Sequence, residues 1–241
     1  MKDNIYTVPV MDAFRAKGEC PFCDIHNQLE KDSLEFTLGT AYMERDIRGE
    51  MDESGFCRHH YEKLFSMTNR LGLAFILQTH MLSLNKKLAA RTEDYFTLSK
   101  KGLFGKKDGN AAALLCNEID SLADSCYICN RVRQNLTRYM DTFFFLWSDR
   151  ELRTLVEEGK GFCLPHLAGL LRLGSEKLSA SEFSVFLRLA VSKFDAGLKA
   201  VGEDVEWFVN KYDYRFRDEP WKNSKDAIPR AIQRLSSLDL S

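Results

Sequence analysis

Six of the seven cysteines and two of the five histidines fall into one spacing that occurs twice. Its first occurrence is Cys20-Pro21-Phe22-Cys23, then Gly55-Phe56-Cys57-Arg58-His59-His60; its second is Cys126-Tyr127-Ile128-Cys129, then Gly161-Phe162-Cys163-Leu164-Pro165-His166. Cys20, Cys23, Cys57 and His60 map onto Cys126, Cys129, Cys163 and His166 by a single offset of 106 positions. Independent drift does not keep four positions in step over so long a gap, so the chain reads as a duplicated unit. Three thiolates and one imidazole per copy, set in two close pairs, are the donors of a closed tetrahedral zinc site. A pair separated by two residues lets both side chains point at one ion, and a second pair from elsewhere completes the tetrahedron. Four protein donors leave no place for water, which makes such a site structural, since a catalytic zinc keeps one position open.

Two other chemistries use the same donors. A redox-active CxxC pair is the second reading, and an iron–sulfur cluster with one histidine ligand is the third. A thioredoxin-type CxxC belongs in a βαβ setting, and no strand–helix–strand pattern occurs. Structural disulfides are disfavoured because Met1-Lys2-Asp3-Asn4-Ile5-Tyr6 lacks the basic and apolar regions of a secretory signal, so a reducing cytosol is expected. We assign ligands within each copy, Cys20, Cys23, Cys57 and His60 to one ion and Cys126, Cys129, Cys163 and His166 to the other. Spacing alone leaves a crossed pairing open. Cys116 has no counterpart in the first copy and reads as a buried helix thiol. His26 matches Val132 and His59 matches Pro165, so neither reads as a ligand. His80 lies in an apolar helical stretch and reads as a core or half-exposed histidine.

The elements that must position these residues read as helices. Val8 to Lys17 is a short amphipathic stretch ended by Gly18. Pro21 suits the first position of the next helix, to about Leu38, with Cys20 at its cap, where the partial positive charge of a helix start favours a thiolate. A further piece spans Ala41 to Met51, and Gly55 breaks the chain before a helix starting near Cys57. Cys57 and His60, at i and i+3, then face the same way. After Gly72 a long helix carries Phe75, Leu77, Met81, Leu84 and Leu88 as a core stripe. The second copy repeats the plan, with helices over 111–123, 128–147 and 149–157. Met140 to Trp147 holds six apolar residues in eight, which requires burial on most sides. The longest stripe, from Phe183 to Phe208 within 180–212, predicts a helix of roughly 45–50 Å at 1.5 Å per residue. It aligns with the long helix of the first copy at an offset of 110 positions. The expected organisation is a metal-binding repeat at 1–98, a linker at 99–110 rich in Gly and Lys, a second repeat at 111–217, and a tail at 218–241 with a short helix near 225–236 and Trp221 holding it to the body.

At 241 residues with 44% hydrophobic content the chain has ample material for ordinary cores. Its 34 basic and 35 acidic residues give a net charge of −1, which supplies no electrostatic argument for nucleic acid. No apolar run approaches the roughly 20 residues of a membrane span, and residence in the cytoplasm is expected. The linker lysines do not form a phosphate-binding loop, which needs GxxxxGK followed by Ser or Thr.

With the paired CPxC and GFCxxH motifs and Trp221 in a C-terminal tail, the chain resembles an uncharacterised family of bacterial proteins known only as a domain of unknown function. The resemblance covers nearly the whole chain, and all eight Cys and His positions are present. It implies metal binding and transfers no activity. The sequence therefore predicts an all-α protein of two homologous helical repeats, each with a Cys3His zinc site, packed as one body. The leading function is a zinc-stabilised binding or scaffold module for a protein, peptide or small ligand, because no acid, base or nucleophile constellation stands out. A thiol-based redox or metal-responsive switch, with Cys20 and Cys126 as first reactive candidates, is the alternative from another class. An iron–sulfur or other metalloenzyme is the third.

Overall fold

The protein is described from a computed structural model, over residues 5–100 and 109–240. These residues contain no strand and form eleven α-helices: α1 (Thr7–Arg15), α2 (Pro21–Leu38), α3 (Arg45–Ser54), α4 (Arg58–Ser66), α5 (Arg70–Lys100), α6 (Gly109–Asp124), α7 (Tyr127–Phe145), α8 (Arg150–Glu158), α9 (Leu164–Lys177), α10 (Ala180–Asn210) and α11 (Ala227–Ser236). Short 3-10 turns follow α2 and α10. The all-α class is as the periodicities predict. Starts are set by local chemistry: Pro21 opens α2, where its missing N–H costs nothing. Asp149 caps α8 through the amides of Glu151 and Leu152. Ser179 and Glu182 form a capping box at α10. Both α5 and α10 run 31 residues. Of the expected linker, 101–108 lies outside the described residues, and its ends belong to α5 and α6.

Packing divides the chain differently from a cut into sequential halves at 99–110. One compact unit comprises Met1–Leu29 with Gln134–Ser241, and the other Glu30–Arg133. The divisions fall inside α2 and α7, because each of these helices supplies residues to both units.

The first unit has an aromatic core. Phe14 stacks on Phe143 at 5.4 Å, and Phe22, Phe162 and Phe186 meet Phe143 edge-on within 6.3 Å. Rings prefer such edge-on and offset contacts because of their quadrupoles, and each buried ring contributes about 1.5–3 kcal/mol. The apolar run that closes α7 and continues two residues past its end is buried as expected at Met140, Phe143, Phe144, Leu146 and Trp147, whereas Phe145 stays 60% exposed. On α10 the predicted stripe splits. Phe186, Ala190, Gly197 and Val201 are buried, while Leu187, Val191 and Leu198 face outward. Phe186 and Ala190 face the aromatic core, whereas Gly197 faces α11: the guanidinium of Arg234 lies where a Cβ on Gly197 would sit, 2.5 Å from Cζ. A small residue is therefore needed at 197.

Arg234 is only 1% exposed. It donates to Glu19 Oε2 from Nε at 3.1 Å and Nη2 at 2.8 Å, and to the carbonyls of Lys160 and Phe162 at 2.9 and 3.4 Å. Glu19 precedes Cys20 and Phe162 precedes Cys163, so α11 ties together the two backbone segments that lead into the cysteines. Trp221 does meet the body as expected, with its ring 5.8 Å from Phe208 and Trp207 Nε1 donating to the Pro220 carbonyl. The deeper anchor of the tail is nevertheless Arg234.

In the second unit Leu38, Ala41, Met51, Leu64, Ile76 and Ile128 are buried. The stripe predicted for α5 is buried only in part: Leu77, Leu84 and Leu88 are half-buried while Phe75 and Met81 are 41% and 64% exposed, and the fully buried residues are Leu73 and Ile76. The predicted spacing averaged over both sides of a helix that α3 and α6 cover only in part. Cys116 is exposed rather than buried, because the half-buried line of α6 runs through Ala112, Leu115 and Leu122.

Candidate metal centres

Each GFCxxH segment turns through a glycine that only glycine tolerates well. Gly55 has φ +58° and Gly161 φ +96°. A Cβ on Gly55 would lie 2.7 Å from His80 Nε2, and one on Gly161 would lie 2.9 Å from the backbone of Lys193. The turn delivers Cys57 and Cys163 in extended conformation as the N-caps of α4 and α9, without a capping hydrogen bond from either sulfur. Both thiols thus remain available, and His60 and His166 follow one turn later on the same face. The CxxC pairs open α2 and α7, where helix-start amides favour negative charge: the Cys129 amide donates to Cys126 Sγ at 3.5 Å.

All eight predicted ligands are brought into two groups, and the pairing within each copy is overturned. Cys20 and Cys23 of the first copy join Cys163 and His166 of the second; Cys57 and His60 of the first join Cys126 and Cys129 of the second. The donor atoms of each group lie within 4.8 Å of one another. The physical reason is the helix arrangement. The starts of α2 and α9 converge in the first unit and those of α4 and α7 in the second, so each CxxC meets the CxxH of the other copy.

In the first cluster Cys23 Sγ is 3.5 Å from Cys163 Sγ, and His166 Nδ1 lies 3.6, 3.5 and 3.1 Å from the sulfurs of Cys20, Cys23 and Cys163. Its three thiols are at most 0% exposed and His166 5%. In the second, His60 Nδ1 lies 3.2, 3.2 and 3.3 Å from the sulfurs of Cys57, Cys126 and Cys129, and Cys57 and Cys129 are 3.8 Å apart. A tetrahedral ion with bonds of about 2.3 Å to sulfur and 2.0–2.1 Å to nitrogen has sulfur–sulfur edges of about 3.8 Å and sulfur–nitrogen edges of about 3.5–3.6 Å, within about 0.5 Å of every distance above. The donor set therefore fits one such ion per cluster.

Electrostatics agree with a cationic occupant. Burial pushes the Cys20 thiol up, but hydrogen bonds with Cys163, Cys23 and His166 outweigh it and hold Cys20 well below the usual thiol range. Cys23 is raised by its hydrogen bonds with Cys163 and Cys20 and by burial, and Cys163 is raised to about 12, chiefly by Cys20. In the second cluster burial opposes ionisation of Cys126, yet His60 and two backbone donors bring it down to about 6; burial and the Cys126 charge raise Cys129 to about 12. One thiolate thus suppresses its neighbours, and three ionise together only around a cation.

Among the other sequence candidates, His26 stands outside the donor group, its ring 6.0 Å from that of His166. His80 Nδ1 donates to the Asp52 carbonyl at 2.9 Å and packs on Gly55. His59 bonds Glu30. Sequence reasoning missed Glu30, which contacts His60 Nε2 at 3.0 Å, and the Glu19–Arg234 pair. Each is one charged side chain among many, without a spacing to mark it.

Fold and donors together define a helical protein with two crossed Cys3His groups that can hold metal ions. The chain belongs to DUF6062, a family of unknown function, which matches residues 1–239. No curated protein and no solved structure matches it. None of the described helices is long and apolar enough to cross a membrane.

Proposed function

We propose that this is a zinc-stabilised helical binding module, built by duplication, in which two structural zinc ions cross-link the copies. The observation that carries this reading is the closed donor set: three sulfurs and one Nδ1 at edges of 3.1–3.6 Å around His166 and its cysteines, with no open position for water. Donors so close suit a single ion better than a polynuclear iron–sulfur cluster, whose irons each need their own ligands. Six ligating thiols suit a reducing compartment such as the cytoplasm. Exposed apolar residues on the long helices, Leu71, Met81 and Leu82 on α5 and Val185 and Val191 on α10, supply surface for a protein, peptide or small-ligand partner. Elemental analysis and an absorption spectrum of protein purified anaerobically without added metal test this. Two equivalents of zinc in a colourless protein are expected; iron with visible absorption would replace the reading with an electron-transfer or catalytic one.

A metal-responsive or redox switch is the second reading. It is favoured by one observation: Cys57 and Cys129 are partly exposed, so these are the accessible thiols, in place of Cys20 and Cys126, which the helix starts suggested and which are buried with Cys23 and Cys163.

A further inference from the structure

The two clusters share a ligand set but differ in what surrounds it. His60 Nε2 contacts Glu30 Oε1 at 3.0 Å, and His59 Nε2 contacts the same oxygen at 3.1 Å. Lys63 donates to the other carboxylate oxygen. Glu30 is itself largely buried, with 13% of its side chain exposed, whereas His59 is 49% exposed. At the matching position of α7, one offset of 106 later, stands Leu136, which carries no carboxylate. The first cluster instead has aromatic neighbours, the Phe22 ring lying 6.2 Å from that of His166.

A carboxylate on the distal nitrogen of a ligating histidine fixes the tautomer and orients the ring, and such partners commonly set metal affinity by about 10–100-fold. Here the Glu30 carboxylate accepts from His60 Nε2–H, so that Nδ1, which gives up its own proton when a cation binds, is the nitrogen that faces the ion between the three sulfurs. Lys63 and His59 draw on the same carboxylate, so its charge is shared and less of it reaches the imidazole. Resting on the zinc reading above, we propose that the second cluster is the exchangeable one and that Glu30 is the positioning residue that sets how firmly it holds its ion. The partly exposed Cys57 and Cys129 give a chelator or oxidant its route in. The four ligands of the first cluster are all buried.

The test uses the full chain loaded with two equivalents of zinc and follows release to 4-(2-pyridylazo)resorcinol. The wild type is expected to lose one equivalent quickly and one slowly, with C57S lacking the fast phase. Glu30→Gln should speed the fast phase by about 10–100-fold and leave the slow one unchanged, and Glu30→Asp should restore part of the difference. Lys63→Met, which leaves the carboxylate charge to His60, should slow the fast phase. Opposite signs for these two variants separate tuning of the ligand from simple loosening of the fold. A single phase for both ions, an unchanged fast phase in Glu30→Gln, or acceleration by both variants overturns the inference. A wild type that retains no zinc at the outset overturns the zinc reading itself, a failure visible before any chelator is added.

Discussion

Cys163→Ser is expected to lower the zinc content from two equivalents to one and to remove the cooperative unfolding transition of the unit formed by Met1–Leu29 and Gln134–Ser241. Cys163 is fully buried, caps α9 and stands 3.1 Å from His166 Nδ1. Structural zinc in small peptides contributes about 10–16 kcal/mol of apparent binding free energy, as large as the roughly 5–15 kcal/mol net stability of a typical domain. The aromatic core of Phe14, Phe22, Phe143, Phe162 and Phe186 retains apolar burial, so a collapsed helical state should survive while fixed packing is lost. Far-UV and near-UV circular dichroism of zinc-depleted protein separate the two. Retention of a sharp near-UV spectrum and an unchanged melting temperature would show that the metal is dispensable for this unit.

The second large effect belongs to Arg234. Truncating one member of a buried ion pair costs about 3–5 kcal/mol, because the remaining charge is left unpaired. Lys160 and Arg230 remain 2.8 and 3.9 Å from Glu19, which places Arg234→Met toward the lower end of that range. The variant also frees the carbonyls of Lys160 and Phe162, so it should hasten zinc loss from the first cluster and leave the second alone. Glu19→Gln combined with Arg234→Met should recover part of the stability in denaturant unfolding, since the buried side chain that has lost its two-point partner then carries no charge. Additive losses in the double variant would show that the two side chains act independently.

The helices and all eight donors were legible because their signals are local. A period near 3.6, Pro21 at a helix start, Gly55 and Gly161 before Cys57 and Cys163, and the i, i+3 spacing of Cys57 with His60 each act over one or two turns. The partner of each CxxC was not legible, because the offset of 106 positions holds equally for pairing within a copy and across copies. Only the convergence of α2 with α9 and of α4 with α7 decides it, a long-range property with no local trace. Arg234 was missed for a related reason: on α11 it looks like a solvated charge, and its burial depends on Gly197 of α10 and Glu19 near the other end of the chain. Likewise, which residues of the α5 and α10 stripes turn inward depends on neighbours that periodicity does not specify.

The crossed pairing is tested most directly by zinc per chain in two double variants, Cys23→Ser with Cys163→Ser, and Cys23→Ser with Cys57→Ser. Cys23 and Cys163 serve one cluster while Cys57 serves the other. The first double should therefore keep one zinc and the second none; no zinc in the first and one in the second would contradict the crossed arrangement and restore pairing within each copy.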